Sequence, residues 1–227
     1  MLDAVARLSP RVAVFDCDGT LWALDSGEGF LEWELERGLL PEKSSRWLRH
    51  RYTDYKAGKV EEDVMCGEMV AIHAGMRDPD LASVAEEFFA SCIEASIFPE
   101  MRQLVERMRA QGCDIWAISS TNDWVVRAGA QRFGIPADRV LAVAVEIENG
   151  SITDRLLRIP SGEGKTEAIR VHVRTPVDAA FGNSRWDVEM LEFARQPYVI
   201  NPNPDLEELA QKRGWPMYFP AKAGARR

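Results

Sequence analysis

Apolar positions along this chain come in two patterns. The first is short continuous runs: Val12–Phe15, Asp114–Ile118, Val140–Val145, Val177–Phe181 and Tyr198–Ile200. Their β-branched content and lack of polar alternation predict strands buried on both faces. The second is recurrence every three or four positions, which fills the gaps between the last four runs: Asn122–Phe133, Glu163–Val173 and Trp186–Ala194. A further helical pattern, Met101–Gln111, stops at Gly112 and leads into the second run. Strands alternating with helices through short loops predict an α/β fold, a Rossmann-like parallel sheet with helices on both faces. Glu148-Asn149-Gly150-Ser151 interrupts the alternation with a hairpin signal, because Asn-Gly accepts the positive φ of a tight β-turn.

One stretch departs from the rhythm. From about Ser26 to Ile97 no strand pattern occurs. Apolar residues recur there only at helical spacing, as in Phe30-Leu31-Trp33-Leu35, Val64-Met65-Met69-Ile72 and Leu81-Val84-Ala85-Phe88-Phe89. This is far more chain than one crossover between neighbouring parallel strands requires. It is read as an inserted all-helical cap, residues 25–97, with residues 1–24 and 98–227 forming the core domain. The cap is expected over the carboxyl edge of the sheet, where open α/β sheets bind ligands. The Arg-rich tail AKAGARR is expected to fray.

Composition narrows the function classes. The 227 residues, 46% hydrophobic and 28% charged, describe an ordinary soluble globular protein. A net charge of −8 argues against nucleic acid, whose binders carry a basic face. No apolar run is long enough to span a membrane, and MLDAVARLSPRVAVF lacks the marks of a signal peptide. Cys17, Cys66, Cys92 and Cys113 have neither metal-knuckle nor disulfide-framework spacing. A cytoplasmic monomer or homodimer with no nucleic acid or membrane partner is the expectation.

The candidate chemistry sits at predicted strand ends. The first strand runs straight into Asp16-Cys17-Asp18-Gly19-Thr20. Residues two apart on a strand face the same way, so Asp16 and Asp18 are expected to project together. Two neighbouring carboxylates repel unless a cation or shared proton relieves them. Magnesium, a hard ion that takes oxygen ligands and substrate phosphate, fits. Gly19 lets the chain turn sharply. The second strand ends in Ser119-Ser120-Thr121-Asn122, whose hydroxyls and helix-opening N–H groups suit a phosphate oxygen. Lys165 precedes a helix in Gly162-Glu163-Gly164-Lys165-Thr166, and the fourth strand ends in Gly182-Asn183-Ser184-Arg185-Trp186-Asp187. The GEGKT segment is not a P-loop, since Ile159 stands where that loop needs its first glycine.

The order FDCDGT, ISSTN, GEGK, GNSRWD resembles the haloacid dehalogenase-like hydrolase superfamily, in particular its phosphoserine-phosphatase-like branch with a helical cap after the first strand. The resemblance runs from about Arg11 to Pro216. It implies a Mg²⁺-dependent phosphatase acting on a small-molecule phosphomonoester through an aspartyl-phosphate. Asp16 would be the nucleophile, and Asp18 the acid and base with its carbonyl on magnesium. Ser119 would bond the phosphoryl group, and Lys165 would orient the nucleophile. Asp16, Asp18, Asn183 and Asp187 would form the metal set. Asn183 stands where the family has aspartate, which removes one charge. The presence of Asp18 argues against dehalogenation.

Substrate recognition is expected from Asp25, Glu28, Gly19 and Ser120. At the offset of Asp25 phosphoserine phosphatases carry a glutamate that meets the substrate amine, and Glu28 lies one turn on. The plainer reading of Asp25 is a helix cap. For Ser119 it is likewise a cap, with Ser120 or Thr121 as the alternative. Trp22, Trp33, Trp47, Tyr52 and Tyr55 crowd the first part of the chain, either as core or as a cage for a quaternary ammonium such as phosphocholine. Arg185 and Trp186 are expected to face solvent and sheet. His50, His73 and His172 share no ligand spacing. A phosphoserine-like or phosphocholine/phosphoethanolamine-like substrate is the expectation; a phosphotransferase or mutase, or a catalytically weak phosphate-binding relative, are the alternatives.

Overall fold

Val12–Phe15 form β1, the middle strand of a seven-stranded sheet. The structure is a computed structural model describing Val5, residues 8–173 and residues 176–221. The expected fraying of the tail from Lys222 onward lies outside those residues. The remaining strands are β2 (Asp114–Asn122), β3 (Val140–Glu148), β4 (Ser151–Arg158), β5 (Ala179–Gly182), β6 (Gln196–Ile200) and β7 (Met217–Tyr218). Their spatial order is β4-β3-β2-β1-β5-β6-β7, and only β3 and β4 pair antiparallel. Asn149 and Gly150, at φ 52° and 80°, turn that hairpin, as the Asn-Gly signal predicts.

The helices described are α1 (Ser26–Arg37), α2 (Glu42–Lys56), α3 (Glu62–Ala71), α4 (Asp78–Phe88), α5 (Pro99–Ala110), α6 (Asp123–Gln131), α7 (Glu163–His172), α8 (Val188–Phe193) and α9 (Pro204–Arg213). Strand alternation divides the sheet's two faces. Val12 and Val14 join a cluster with Ile169 of α7, Leu191 of α8 and Leu206 of α9. Ala13 and Phe15 join another with Leu104 of α5 and Val125 of α6. Phe15, Phe181 and Tyr198 stack across β1, β5 and β6 with ring centroids 4.1 and 5.0 Å apart. The helix expected over Trp186–Ala194 begins instead as a 3₁₀ turn, Arg185–Asp187, because Ser184 and Asp187 close a capping box there. The second strand runs four residues past its apolar stretch, through Asn122.

The helical insert leaves and rejoins the core through two segments lying side by side. Ala23 N–H donates to the Ser96 carbonyl and Phe98 N–H to the Leu21 carbonyl, both at 3.0 Å. Helices α1 to α3 enclose a small cluster of their own around Leu31, Leu35, Leu48 and Met65. Helix α4 does not share it. Leu81, Ala85 and Phe88 belong to the same cluster as Trp22, Trp124 and Phe133, so this part of the insert is packed into the core.

Trp22 is central to that packing. Its ring is fully buried and meets Phe89, in a short π-helical turn (Phe89–Ile93), edge to face at 5.0 Å. The space comes from Gly129 of α6: a Cβ there would lie 2.6 Å from both Phe89 and Trp22. Glycine to alanine inside a helix normally stabilises by about 0.5–1 kcal/mol. Here the sign reverses, because fixed rings cannot yield: Gly129→Ala is expected to cost about 1–3 kcal/mol. Urea unfolding of the two proteins measures the difference.

Candidate active site

Asp16 leaves the carboxyl end of β1 with its N–H donating to the Phe181 carbonyl at 2.9 Å, so the strand's pairing holds it in place. Its carboxylate is buried. Lys165 Nζ donates to Asp16 Oδ1 at 2.7 Å and to Asp187 Oδ1 at 2.6 Å, and Thr20 Oγ1 donates to Asp16 Oδ2 at 2.9 Å. Helix α7 delivers the lysine, itself only 2% exposed. Burial works against the ammonium, but Asp16 and Asp187 outweigh it and raise its pKa, so Lys165 is charged. Burial pushes Asp16 upward as well, and Asp187 adds to this against the pull of Lys165.

Asp18 has a separate set of donors. Trp22 Nε1 at 2.6 Å, Ser26 N at 2.7 Å and Ser26 Oγ at 2.6 Å donate to its Oδ1, and Thr121 Oγ1 donates to its Oδ2 at 2.6 Å. The paired acids therefore reach one cavity but are held by different walls of it. Gly19, at φ +75°, makes the turn between them and the cap, and its missing Cβ is the room that Asn183 occupies. Ser119 is buried beside Asp16 in the cavity wall, its Oγ accepting from Thr121 N at 3.1 Å. None of Ser119, Ser120 or Thr121 caps α6; Asn122 does, accepting from Val125 N at 2.9 Å.

Asp187 does not line the cavity. It is fully buried, with Oδ1 on Lys165 and Oδ2 accepting from Asn183 N, Ser184 N and Ser184 Oγ at 2.9, 2.9 and 3.2 Å. In this arrangement it offers no oxygen to a cation, which corrects its place in the expected metal set. It holds Lys165 and the 182–187 turn instead. Among the described residues no group of three His, Cys, Asp or Glu side chains stands ready for a metal. The cavity wall still brings Asp16, Asp18 and Asn183 together as oxygen donors, and one or two carboxylates plus substrate phosphate are the usual complement of magnesium.

The cavity, of about 400 Å³, lies between these strand ends and helices α1 to α3. Asp25 caps α1, its Oδ1 accepting from Glu28 N at 2.9 Å, and its side chain also lines the cavity. Glu28 pairs with Lys56 at 3.1 Å. The five-membered aromatic cage is not formed: Trp22 and Trp33 are core, Trp47 faces outward, and only Tyr52 and Tyr55 reach the cavity. Trp186 lines it too, contrary to the expectation that it faces the sheet, with the Arg185 guanidinium stacked 4.3 Å from its ring.

The model of the haloacid dehalogenase-like hydrolase family matches residues 13–192. The chain is a haloacid dehalogenase-like hydrolase. This hydrolase is 27% identical over 223 residues to a histidinol-phosphatase of Neisseria meningitidis, covering 91% of this chain and 97% of that one. A solved structure of a protein of unknown function from Bordetella pertussis superposes with a TM-score of 0.81 at 26% identity, covering 91% and 97% of the two chains. A substrate-bound phosphoserine phosphatase shares the fold, with a TM-score of 0.56 at 15% identity and coverage of 87% and 89%. Among the described residues of the hydrolase, no helix is long and apolar enough to cross a membrane.

Three contributors to the hydrolase's site, Thr20, Ser26 and Glu62, escape sequence reasoning, and Thr121, expected to meet phosphate or cap a helix, holds Asp18 instead. Thr20 lies inside the first motif, so its type was visible though its partner was not. Ser26 and Thr121 hold Asp18 across sequence gaps that carry no signal. Glu62 sits in Glu61-Glu62-Asp63, which reads as a solvated acidic run. In the fold its side chain is buried against the cavity, accepting from Ser161 Oγ at 2.8 Å.

Asp25 is open to cavity water yet crowded by protein. Burial, with the Asp18 charge beside it, raises its carboxyl from the ordinary 3.8 to about 6. A carboxyl raised on folding binds its proton more tightly in the native chain, so stability falls as pH rises. That penalty is absent below pH 3.8 and complete above about 6. Asp25→Asn keeps a good cap without the charge. Its melting temperature is expected to exceed the wild type's at pH 7.5 and to lose that margin near pH 4, which calorimetric scans across the range measure.

Proposed function

We propose that this hydrolase cleaves a small cytosolic phosphomonoester with magnesium, through a phosphoryl group carried on Asp16. The observation that carries the reading is the Lys165 ammonium, fixed on Asp16 and Asp187 at the wall of the cavity. The ammonium steers one Asp16 oxygen and favours its ionised form, the form a nucleophile needs, against the burial and the Asp187 charge that raise its pKa. Asp16 attacks phosphorus and the bond to the alcohol oxygen breaks; Asp18 gives that oxygen its proton. Water then attacks the aspartyl-phosphate and passes a proton to Asp18, which restores both acids and frees phosphate. The four donors on Asp18 fix the position of its carboxyl group. Ser119 and the N–H groups near the start of α6 suit the phosphoryl oxygens. Asp16, Asp18 and Asn183 would hold the magnesium, which when bound offsets charge on the phosphoryl oxygens and the nucleophile.

The cavity volume and the roof of helices favour a small metabolite over a folded phosphoprotein. The relative named histidinol-phosphatase supports phosphomonoester hydrolysis. Release of p-nitrophenol from p-nitrophenyl phosphate is expected to require magnesium and to fall on the order of 10⁴-fold in Asp16→Asn. Acid-quenched wild type incubated with a ³²P-labelled substrate should retain label that hydroxylamine removes. Asn183→Asp adds a ligand charge and is expected to reach half-maximal rate at lower magnesium. No metal-dependent release from any phosphomonoester, and no retained label, would reject the reading.

A further inference from the structure

Resting on the phosphatase reading, we infer that Glu62 selects the substrate, receiving the cationic end of a phosphorylated amino alcohol that has no carboxylate. Charge placement along the cavity wall points to it. Five carboxylates line the cavity: Asp16, Asp18, Asp25, Glu28 and Glu62. Among the described residues lining it, Lys165 is the sole cation, and both Asp16 and Asp187 already use it. The phosphate end has magnesium to offset its charge. The rest of the lining has only what the cap supplies.

There Glu28 is neutralised by Lys56, but Asp25 and Glu62 form no ion pair among the described residues. Asp25 is committed to capping α1. Glu62 stands at the start of α3, and its contacts are hydroxyls: Ser161 at 2.8 Å and, at a long 3.4 Å, Tyr55. A carboxylate this buried is costly without a directly paired cation; Lys165 and Arg185 attract it without forming an ion pair, and burial still raises its pKa. A substrate ammonium would supply the missing charge. Tyr52 and Tyr55, with ring centroids 5.8 Å apart beside it, add faces that attract the same cation.

The same wall rejects an α-carboxylate. A phosphorylated amino acid would bring a second anion to a lining of five carboxylates whose one described cation, Lys165, is already paired with Asp16 and Asp187, and like charges brought together in such a site cost affinity. Specificity here is set as much by that repulsion as by the attraction. The chemical class is thus an amine-bearing alcohol esterified to phosphate.

Matched esters test it. Propyl phosphate, phosphoethanolamine and phosphoserine differ by an ammonium and then a carboxylate; L-histidinol phosphate extends the amine series. Wild type with magnesium is expected to favour phosphoethanolamine or histidinol phosphate over both propyl phosphate and phosphoserine by about ten-fold or more in kcat/KM. In Glu62→Gln the ratio of phosphoethanolamine to propyl phosphate should fall about ten-fold, chiefly through KM. Phosphoserine turnover equal to phosphoethanolamine, or a Glu62→Gln effect equal on charged and uncharged esters, would overturn the inference while leaving hydrolysis intact. Loss of all metal-dependent turnover in wild type, p-nitrophenyl phosphate included, would instead strike the phosphatase reading beneath it.

Discussion

A buried ammonium between two buried carboxylates organises this molecule. Lys165 has almost no contact with solvent, and neither has Asp187. Taking three charges out of water is expensive, and removing any one of them would strand the others. The arrangement is therefore a poor source of stability and a strong constraint on geometry. It ties the end of β1, the start of α7 and the turn after β5 to a common point. Each of those segments then carries its neighbours into place: Thr20 beside Asp16, and Asn183 in the space that Gly19 leaves open.

The second constraint is Trp22, which joins chemistry to architecture in one side chain. Its N–H holds Asp18, and its ring packs on Phe89 in the returning linker of the insert and fills the hollow above Gly129. The acid opposite the nucleophile is therefore referenced to the seam where the helical insert meets the sheet. That seam is welded, because Phe30, Trp33 and Val70 of α1 and α3 join α4 in the main cluster, even though α1 to α3 also enclose one of their own.

What the sequence made legible follows the physics of each signal. Strands buried on both faces announce themselves as apolar runs, so β1, β3 and the inner part of β2 were readable. The polar end of β2 was not, because it carries no apolar run and pairs with β3 only at Asn122, across a break in register after Ile118. The hairpin was readable because Asn149-Gly150 is a local conformational requirement. Among site residues, Asp16, Asp18, Ser119 and Lys165 lie in motifs whose order survives folding. Glu62 could not be found that way: a glutamate among acids on a helix gives no sign of which face is covered. His73 is a parallel case. It has no ligand spacing, yet it is fully buried, with Nε2 2.6 Å from Glu34 and Nδ1 3.1 Å from the Val70 carbonyl.

The place of β1 in the sheet also bears on how the chain reaches this state. The central strand is the first one made, yet its neighbours are β2 and β5, pairing Val12 with Asp114 and Ala13 with Ala179. During synthesis its two edges wait for partners roughly a hundred and more residues downstream, and closing loops of that length is slow. Lys165 meets Asp16 across 149 positions. No early fragment can assemble the site, so a nascent chain carries a strand capped by an acid pair with both edges open until β2 is made, and with one edge open until β5 follows. The charge beside that strand then serves as its gatekeeper, discouraging premature edge-to-edge association long before it has any chemistry to perform.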